Sequence, residues 1–158
     1  MRAGSTALTL GVILVAAVAV VSAQGANRRI GTWHLNVAKS TYSPGPAPKS
    51  QVLTIEAAGA GEKVTSELVS ATGAKTVSVY TANYDGKPYP ISGSEIADTV
   101  TLKRVDANTS ERTDSKGEKA VQTFIRVVSK DGKTMTVTIK GTNAQGQAVN
   151  NVVIFEKH

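Results

Sequence analysis

Hydrophobic and polar positions alternate with a period of two from about residue 30 onward, a pattern typical of β-strands with one buried face. The alternating segments are rich in Val, Thr and Ile, which suit a pleated surface. After residue 24 no segment has the 3.6-residue apolar spacing of a helix. The pattern predicts nine strands and a short tenth at 30–36, 50–57, 63–71, 75–84, 98–105, 109–113, 120–128, 134–140, 148–156 and 89–92.

Short polar turns join most of these strands, and a glycine in each suits the positive φ of a tight hairpin. These glycines are Gly73, Gly86, Gly117, Gly132 and Gly146. Successive hairpins make an antiparallel meander, and the twist of a sheet lets its two edges meet and pair. We therefore predict an all-β, up-and-down barrel of eight to ten strands. The Pro-rich segment 43–48 is expected outside the sheet, because proline lacks the backbone donor.

The first 23 residues have the features of a cleavable signal peptide. Arg2 precedes an uncharged, mostly apolar stretch at 7–21, and small or modest side chains follow at 21–23. That stretch is shorter than the roughly 18 residues of a membrane-spanning helix. We predict a signal peptide at 1–23, a basic linker at 24–29 and one barrel domain at 30–158. The chain has no cysteine, and export without disulfides fits a periplasmic or secreted location in bacteria.

Loop lengths predict which side chains face the interior, because a shift of one residue turns a whole strand over. The turn at 129–132 allows a two-residue or a three-residue loop, and the latter separates apolar from polar faces better. It pairs Val127 with Met135 and Ile125 with Val137. The same loop at 144–146 pairs Val137 with Val153, Met135 with Phe155 and Ile139 with Asn151. These positions predict an apolar inner wall.

A three-residue loop at 115–117 turns Glu111 inward, and a two-residue loop at 107–108 then predicts that Arg104 faces it inside the barrel. Thr109, Thr123 and Asn151 would complete a polar patch there. Two interpretations stay open: a cluster that orients a ligand, or a satisfied cross-strand pair at a water-filled barrel end.

Little in the chain predicts catalysis, a cofactor or a metal site. His34 and His158 are the only histidines, and no Gly-x-Ser-x-Gly motif or phosphate-binding glycine loop occurs. The net charge of +6 comes mostly from lysines in turns, and aromatic residues make up 4% of the chain. A nucleic-acid-binding face would concentrate both. We therefore expect no nucleic-acid partner, and no stable membrane insertion once the signal peptide is removed.

Three short motifs resemble lipocalins and fatty-acid-binding proteins, the calycin-like barrels. Gly31-Thr32-Trp33 is similar to the Gly-x-Trp that opens their first strand, and Val153 to Lys157 is similar to the closing strand of fatty-acid-binding proteins. Thr123 to Arg126 resembles a strand that carries a ligand-carboxylate arginine in that family, which makes Arg126 a candidate, although the favoured register turns it outward. The whole chain resembles exported bacterial proteins of this type.

We therefore predict an exported, non-enzymatic module that holds a small apolar or amphipathic ligand inside the barrel. The predicted ligand-binding residues are Arg104, Glu111, Thr123, Arg126, Val137, Asn151 and Phe155. The alternative is a structural or protein-interaction module, without a small-molecule ligand, that acts through its surface and the Pro-rich segment. An enzyme that uses Arg104 and Glu111 is a third hypothesis.

Overall fold

A computed structural model describes residues 27–158. The predicted signal peptide, and linker residues 24–26, lie outside the described residues. The strands are β1 (Gly31–Leu35), β2 (Ser50–Ala58), β3 (Gly61–Val69), β4 (Lys75–Asn83), β5 (Tyr89–Ser92), β6 (Thr99–Arg104), β7 (Thr109–Lys116), β8 (Lys119–Val128), β9 (Thr134–Thr142) and β10 (Ala148–Lys157). One turn of 3₁₀-helix spans Val37–Lys39. None of the helical structure in this part of the chain is long and apolar enough to cross a bilayer.

The strands form a closed barrel in which each one pairs with its sequence neighbours and β1 pairs with β10. Every pairing is antiparallel, so the predicted all-β meander barrel is confirmed. Among residues 27–158, closure leaves no free sheet edge, whereas a ten-stranded open meander would expose two.

The segment after β1 completes the seam of the barrel, because β1 is short and reaches only the last part of β10. The Asn36 side chain caps the 3₁₀-helix by accepting the Lys39 N–H. Thr41 then bridges Val152, and the Ser43 carbonyl accepts the Asn150 N–H at 2.8 Å. The Pro-rich residues that follow lie outside every strand, as predicted.

The predicted pairing of β9 with β10 is confirmed, whereas that of β8 with β9 is wrong. Val137 lies opposite Val153, and Met135 opposite Phe155. On the other side of β9, however, Met135 lies opposite Val128 instead of Val127. The turn at 129–134 contains four loop residues, because Ser129 pairs with Thr134 through its backbone N–H. An even loop length reverses every side chain of β8 relative to the three-residue prediction.

Strand β7 is reversed in the same way. Glu111 lies opposite Ile125, and an irregularity in the pairing falls between Asp114 and Ser115. The Lys116–Lys119 pair closes a hairpin of two loop residues, where we predicted three, and the irregularity cancels that change of parity. Strand β7 therefore keeps its predicted face relation to β8 and is turned over together with it: Ser110 and Asp114 are buried, whereas Thr109 and Glu111 take the outward positions.

The barrel has two different ends. At the plugged end, residues 27–30 lie across the barrel beside Trp33, which is fully buried and donates through its indole N–H to the Arg29 carbonyl at 2.7 Å. Arg28, which falls in the predicted linker, donates to the Lys130 carbonyl at 2.7 Å. The mouth end carries the opposite connections, including residues 93–98 between β5 and β6.

Candidate functional site

The interior holds a cavity of about 350 Å³, the main pocket found in residues 27–158. Its apolar lining is Leu53, Ile55, Val64, Leu68, Ile91, Ile96, Phe124, Met135, Val137, Ile139, Val153 and Phe155. These side chains come from strands all round the barrel because inward positions alternate along each strand. The volume falls at the lower end of the range of about 300–1,000 Å³ that is common for small-molecule pockets.

Buried polar side chains form one wall of the cavity. Tyr80 and Arg126 line it, and both bind the carboxylate of Glu62, which has no exposed surface. The Tyr80 hydroxyl donates to Glu62 Oε1 at 3.0 Å, and Arg126 Nη1 donates to the same oxygen at 2.5 Å. Tyr84 donates to Oε2. Both oxygens of this carboxylate are therefore satisfied inside the barrel, as a buried charge requires.

The Glu62 carboxyl stays ionised despite its burial. Burial alone would raise its pKa. The positive charge of Arg126 and the hydrogen bonds from Tyr84, Arg126 and Tyr80 outweigh that effect and lower the pKa below its ordinary value. Burial also raises the pKa of Tyr80, and there this effect prevails, so the hydroxyl keeps its proton and remains a donor.

The three nitrogens of the Arg126 guanidinium differ in their hydrogen-bond partners. Its Nε donates to Ser110 Oγ at 3.0 Å and its Nη1 is held by Glu62, whereas Nη2 is buried without a hydrogen-bond partner among residues 27–158. A buried guanidinium nitrogen without an acceptor is costly. An acceptor supplied from the cavity would remove that cost.

A second ion pair lies in the same wall. Arg112 binds Asp114 in a bidentate arrangement, with distances of 2.6 and 2.7 Å. The guanidinium carbon lies 4.7 Å from the ring centre of Tyr80 and 4.6 Å from that of Phe124. Cation–π contacts and the bidentate pair together fix the position of Arg112 at the cavity.

Arg29 adds a third positive charge from the plugged end. It is buried, and its Nε donates to the Tyr84 hydroxyl at 3.1 Å and lies 3.9 Å from Glu62 Oε2. Three arginines, Arg29, Arg112 and Arg126, thus share the interior with two carboxylates, Glu62 and Asp114. The barrel interior therefore carries one uncompensated positive charge.

The mouth of the cavity is formed by the connection between β5 and β6. Gly93, Ser94, Glu95 and Ile96 line it. Strand β5 pairs through only two residues with each of its neighbours, so the wall beside the mouth has few backbone hydrogen bonds.

The structure brings three of the seven predicted site residues to the cavity: Arg126, Val137 and Phe155. Asn151 takes an inward register position opposite Ile139, but its side chain accepts the Ser43 N–H at 2.8 Å. Thr123 lies opposite Thr113 and does not line the cavity. Whether any of these residues binds a ligand stays a prediction.

The predicted inward pair of Arg104 and Glu111 is wrong. Arg104 lies opposite Ser110, and Lys103 is the residue opposite Glu111. Arg104 is exposed and places its guanidinium carbon 4.7 Å from the ring centre of Tyr84. The prediction that Arg126 points outward is also wrong. Strands β7 and β8 are turned over relative to the predicted register, so the two faces of each strand are exchanged.

Sequence reasoning predicted a polar patch in the barrel but, apart from Arg126, missed the residues that make it. Glu62, Tyr80, Arg112 and Asp114 were not among the predicted site residues. Glu62 carried one available signal: it lies two residues before Val64, and so on the same face of the strand as an apolar side chain. A carboxylate in an inward row needs a buried partner.

Comparisons with known proteins give a likeness of fold. No protein-family model matches the chain. A search of curated proteins also finds no match. Among solved structures, the chain is similar to the zebrafish ileal bile acid-binding protein complexed with cholic acid, at 13% sequence identity and a TM-score of 0.49. The match covers 83% of this chain and 99% of that chain, and at this identity it concerns the fold alone.

Proposed function

We propose that the barrel binds a small amphipathic molecule with one negative charge, and that it does so without catalysis. The apolar part would lie against the cavity lining, and the anionic group would accept a hydrogen bond from Arg126 Nη2. The observation that carries the proposal is this buried, unpartnered nitrogen on a residue that lines the cavity.

The charge balance of the interior supports a single negative charge on the ligand. One anion would neutralise the excess of the three interior arginines over the two interior carboxylates. A neutral ligand would leave that excess, and a dianion would reverse it. The predicted export of the chain, to the periplasm or beyond, is part of the same proposal: the carrier would act outside the cytoplasm.

A competition assay tests the charge of the ligand. The probe is 1-anilinonaphthalene-8-sulfonate, whose fluorescence rises in apolar sites, and the competitors are decanoate, decanol and decylamine. We expect decanoate to displace the probe at least about tenfold more effectively than decanol, since a hydrogen bond to a charged group contributes about 1.5–3 kcal/mol. Equal potency of all three competitors would contradict the proposal.

Variants locate the anionic group. Arg126→Gln should remove the preference for decanoate, whereas Lys140→Gln, which removes an exposed positive charge, should keep it. Because Arg126→Gln leaves Glu62 unpaired, the double variant Glu62→Gln/Arg126→Gln removes the whole ion pair and keeps the interior charge constant. Full preference for decanoate in the double variant would overturn the assignment. A wild-type barrel that binds neither probe nor competitor would favour the structural-module alternative.

A further inference from the structure

The positive charge of the described chain is concentrated at the plugged end. The segments there contain nine Lys and Arg residues against six Asp and Glu residues, whereas those of the mouth end contain six against five. The segments counted are 27–31, 56–63, 83–89, 103–109, 128–134 and 156–158 for the plugged end, and 35–50, 67–76, 92–99, 114–120 and 140–148 for the mouth end. Most of the net charge of residues 27–158 therefore lies at one pole of the barrel.

Backbone contacts gather the basic side chains of this pole on one rim. Lys157 Nζ donates to the Arg28 carbonyl at 2.9 Å, and Arg28 Nη1 reaches the Lys130 carbonyl. The Lys157 N–H donates to the Lys133 carbonyl at 2.9 Å, which brings a fourth basic residue to the group. Within residues 27–158, none of these four makes an ion pair with a carboxylate.

Three acidic residues of this pole, Asp85, Asp106 and Asp131, are bound to their own turns. Asp106 accepts the N–H groups of Asn108 and Thr109 at 2.8 and 2.7 Å, and Asp131 accepts the Lys133 N–H at 3.0 Å. These carboxylates remain charged, but they are fixed by backbone donors. The lysine and arginine side chains around them stay available to an external anion.

The exposed apolar side chain of Val105 indicates which kind of anionic partner suits this end of the barrel. Val105, the first residue after β6, has 61% of its surface exposed and follows Lys103 and Arg104 directly. An exposed apolar residue next to basic ones suits the interface of a lipid bilayer, where charges meet headgroups and the apolar group enters the acyl boundary. A soluble polyanion offers nothing for Val105 to contact.

We infer that the plugged end of the barrel docks on anionic lipid surfaces. Arg28, Lys103, Arg104, Lys130 and Lys133 would contact the headgroup phosphates, and Val105 would enter the interface. The barrel would sit on the surface without spanning the membrane, with its cavity mouth directed away from the lipid. This inference can fail separately from the ligand proposal, because none of the residues that would contact lipid lines the cavity.

Vesicle sedimentation tests the inference with two triple variants of equal net charge. Lys103→Glu/Lys130→Glu/Lys133→Glu changes the plugged end, and Lys49→Glu/Lys75→Glu/Lys119→Glu changes the mouth end; all six lysines are exposed. With vesicles of equal parts phosphatidylglycerol and phosphatidylcholine, we expect about a hundredfold loss of binding for the plugged-end variant and less than about tenfold for the mouth-end variant. Wild-type binding should disappear with phosphatidylcholine alone and weaken steeply with salt.

Three outcomes would overturn the inference. The first is no wild-type binding to anionic vesicles. The second is equal loss in both triple variants, which would show an effect of net charge only. The third is tight binding to dextran sulfate combined with unchanged vesicle binding by Val105→Ser, which would indicate a soluble polyanion as the partner. Thermal unfolding of each variant, followed by circular dichroism, verifies that the fold is retained.

Discussion

The guanidinium of Arg126, on β8, holds the carboxylate of Glu62, on β3, at 2.5 Å inside the barrel. These strands are not neighbours in the sheet, so the ion pair joins separate parts of the wall through the interior. Removing two charges from water costs several kcal/mol per ion, and the pair is tolerated only because further hydrogen bonds satisfy it. Tyr80, Tyr84 and Ser110 supply them.

The first prediction concerns the removal of the Glu62 charge. Glu62→Gln leaves Arg126 and Arg29 buried without their carboxylate, and breaking a buried pair in this way costs about 3–5 kcal/mol. Urea unfolding should show a loss of that size. Glu67→Gln is the matched control, because Glu67 is exposed on the same strand and should change the stability by less than about 0.5 kcal/mol. Equal effects of the two substitutions would refute the buried ion pair.

The second prediction follows from the lowered pKa of Glu62. A carboxyl whose pKa is lower in the folded state than its ordinary value of 4.5 contributes stability that is present above that value. The contribution is lost as the pH falls through the lower, folded-state pKa. The difference in unfolding free energy between wild type and Glu62→Gln should therefore be constant at neutral pH and shrink below about pH 4.5.

The comparison with Glu62→Gln is needed because Asp85, Asp106, Asp131 and Glu156 also have lowered pKa values. Those groups are exposed and remain in both proteins, so their contributions cancel in the difference. A difference that stays constant down to acid pH would show that Glu62 is not ionised in the folded state.

The register of some strands can be predicted from the sequence and that of others cannot, for a physical reason. In β9 and β10, inward positions are almost all apolar, so the alternation determines both the strands and their register. In β8, apolar residues occupy both faces: Phe124 and Val128 point inward, whereas Ile125 and Val127 point outward. The alternation then does not indicate which face of β8 is buried, and the length of the turn between β8 and β9 determines it.

The third prediction tests the two registers directly. Val137→Arg places a charge in the cavity lining and should destabilise the barrel strongly, because a buried unpaired charge is costly. Val127→Arg should be nearly neutral, since Val127 is 41% exposed. The register favoured by the sequence would make both substitutions equally harmful. Thermal unfolding of the two variants distinguishes these cases, and comparable losses of melting temperature would contradict the structure.

The polar site was harder to predict than the barrel because its members come from distant strands. Glu62 and Tyr80 meet across the adjacent strands β3 and β4, but Arg126, on β8, reaches them only after the meander has closed. Polar residues at single inward positions resemble outward residues in an alternating pattern. The inner face of β7, which holds Ser110, Arg112 and Asp114, contains no apolar residue at all. Only the closed barrel shows that this polar face belongs inside.

The last prediction concerns the close approach of β3 and β4 beside Glu62. A Cβ atom on Gly61 would lie 1.8 Å from the Ala82 carbonyl oxygen and 2.5 Å from the Asn83 Cα, so the two backbones would have to separate. Overpacking of this kind typically costs about 1–3 kcal/mol, and we expect a loss in that range for Gly61→Ala. Because Glu62 follows directly, the shift should also weaken its contact with Arg126.

Gly45→Ala is the control for this prediction, since nothing lies within 4 Å of the added Cβ and the backbone there does not require glycine. It should change the unfolding free energy by less than about 0.5 kcal/mol. Gly61→Ala should, in addition, reduce the preference for decanoate over decanol in the competition assay, whereas Gly45→Ala should leave it intact. A fully stable Gly61→Ala variant with unchanged preference would mean that β3 and β4 do not approach as closely as described, and the position of Glu62 opposite Arg126 would lose its support.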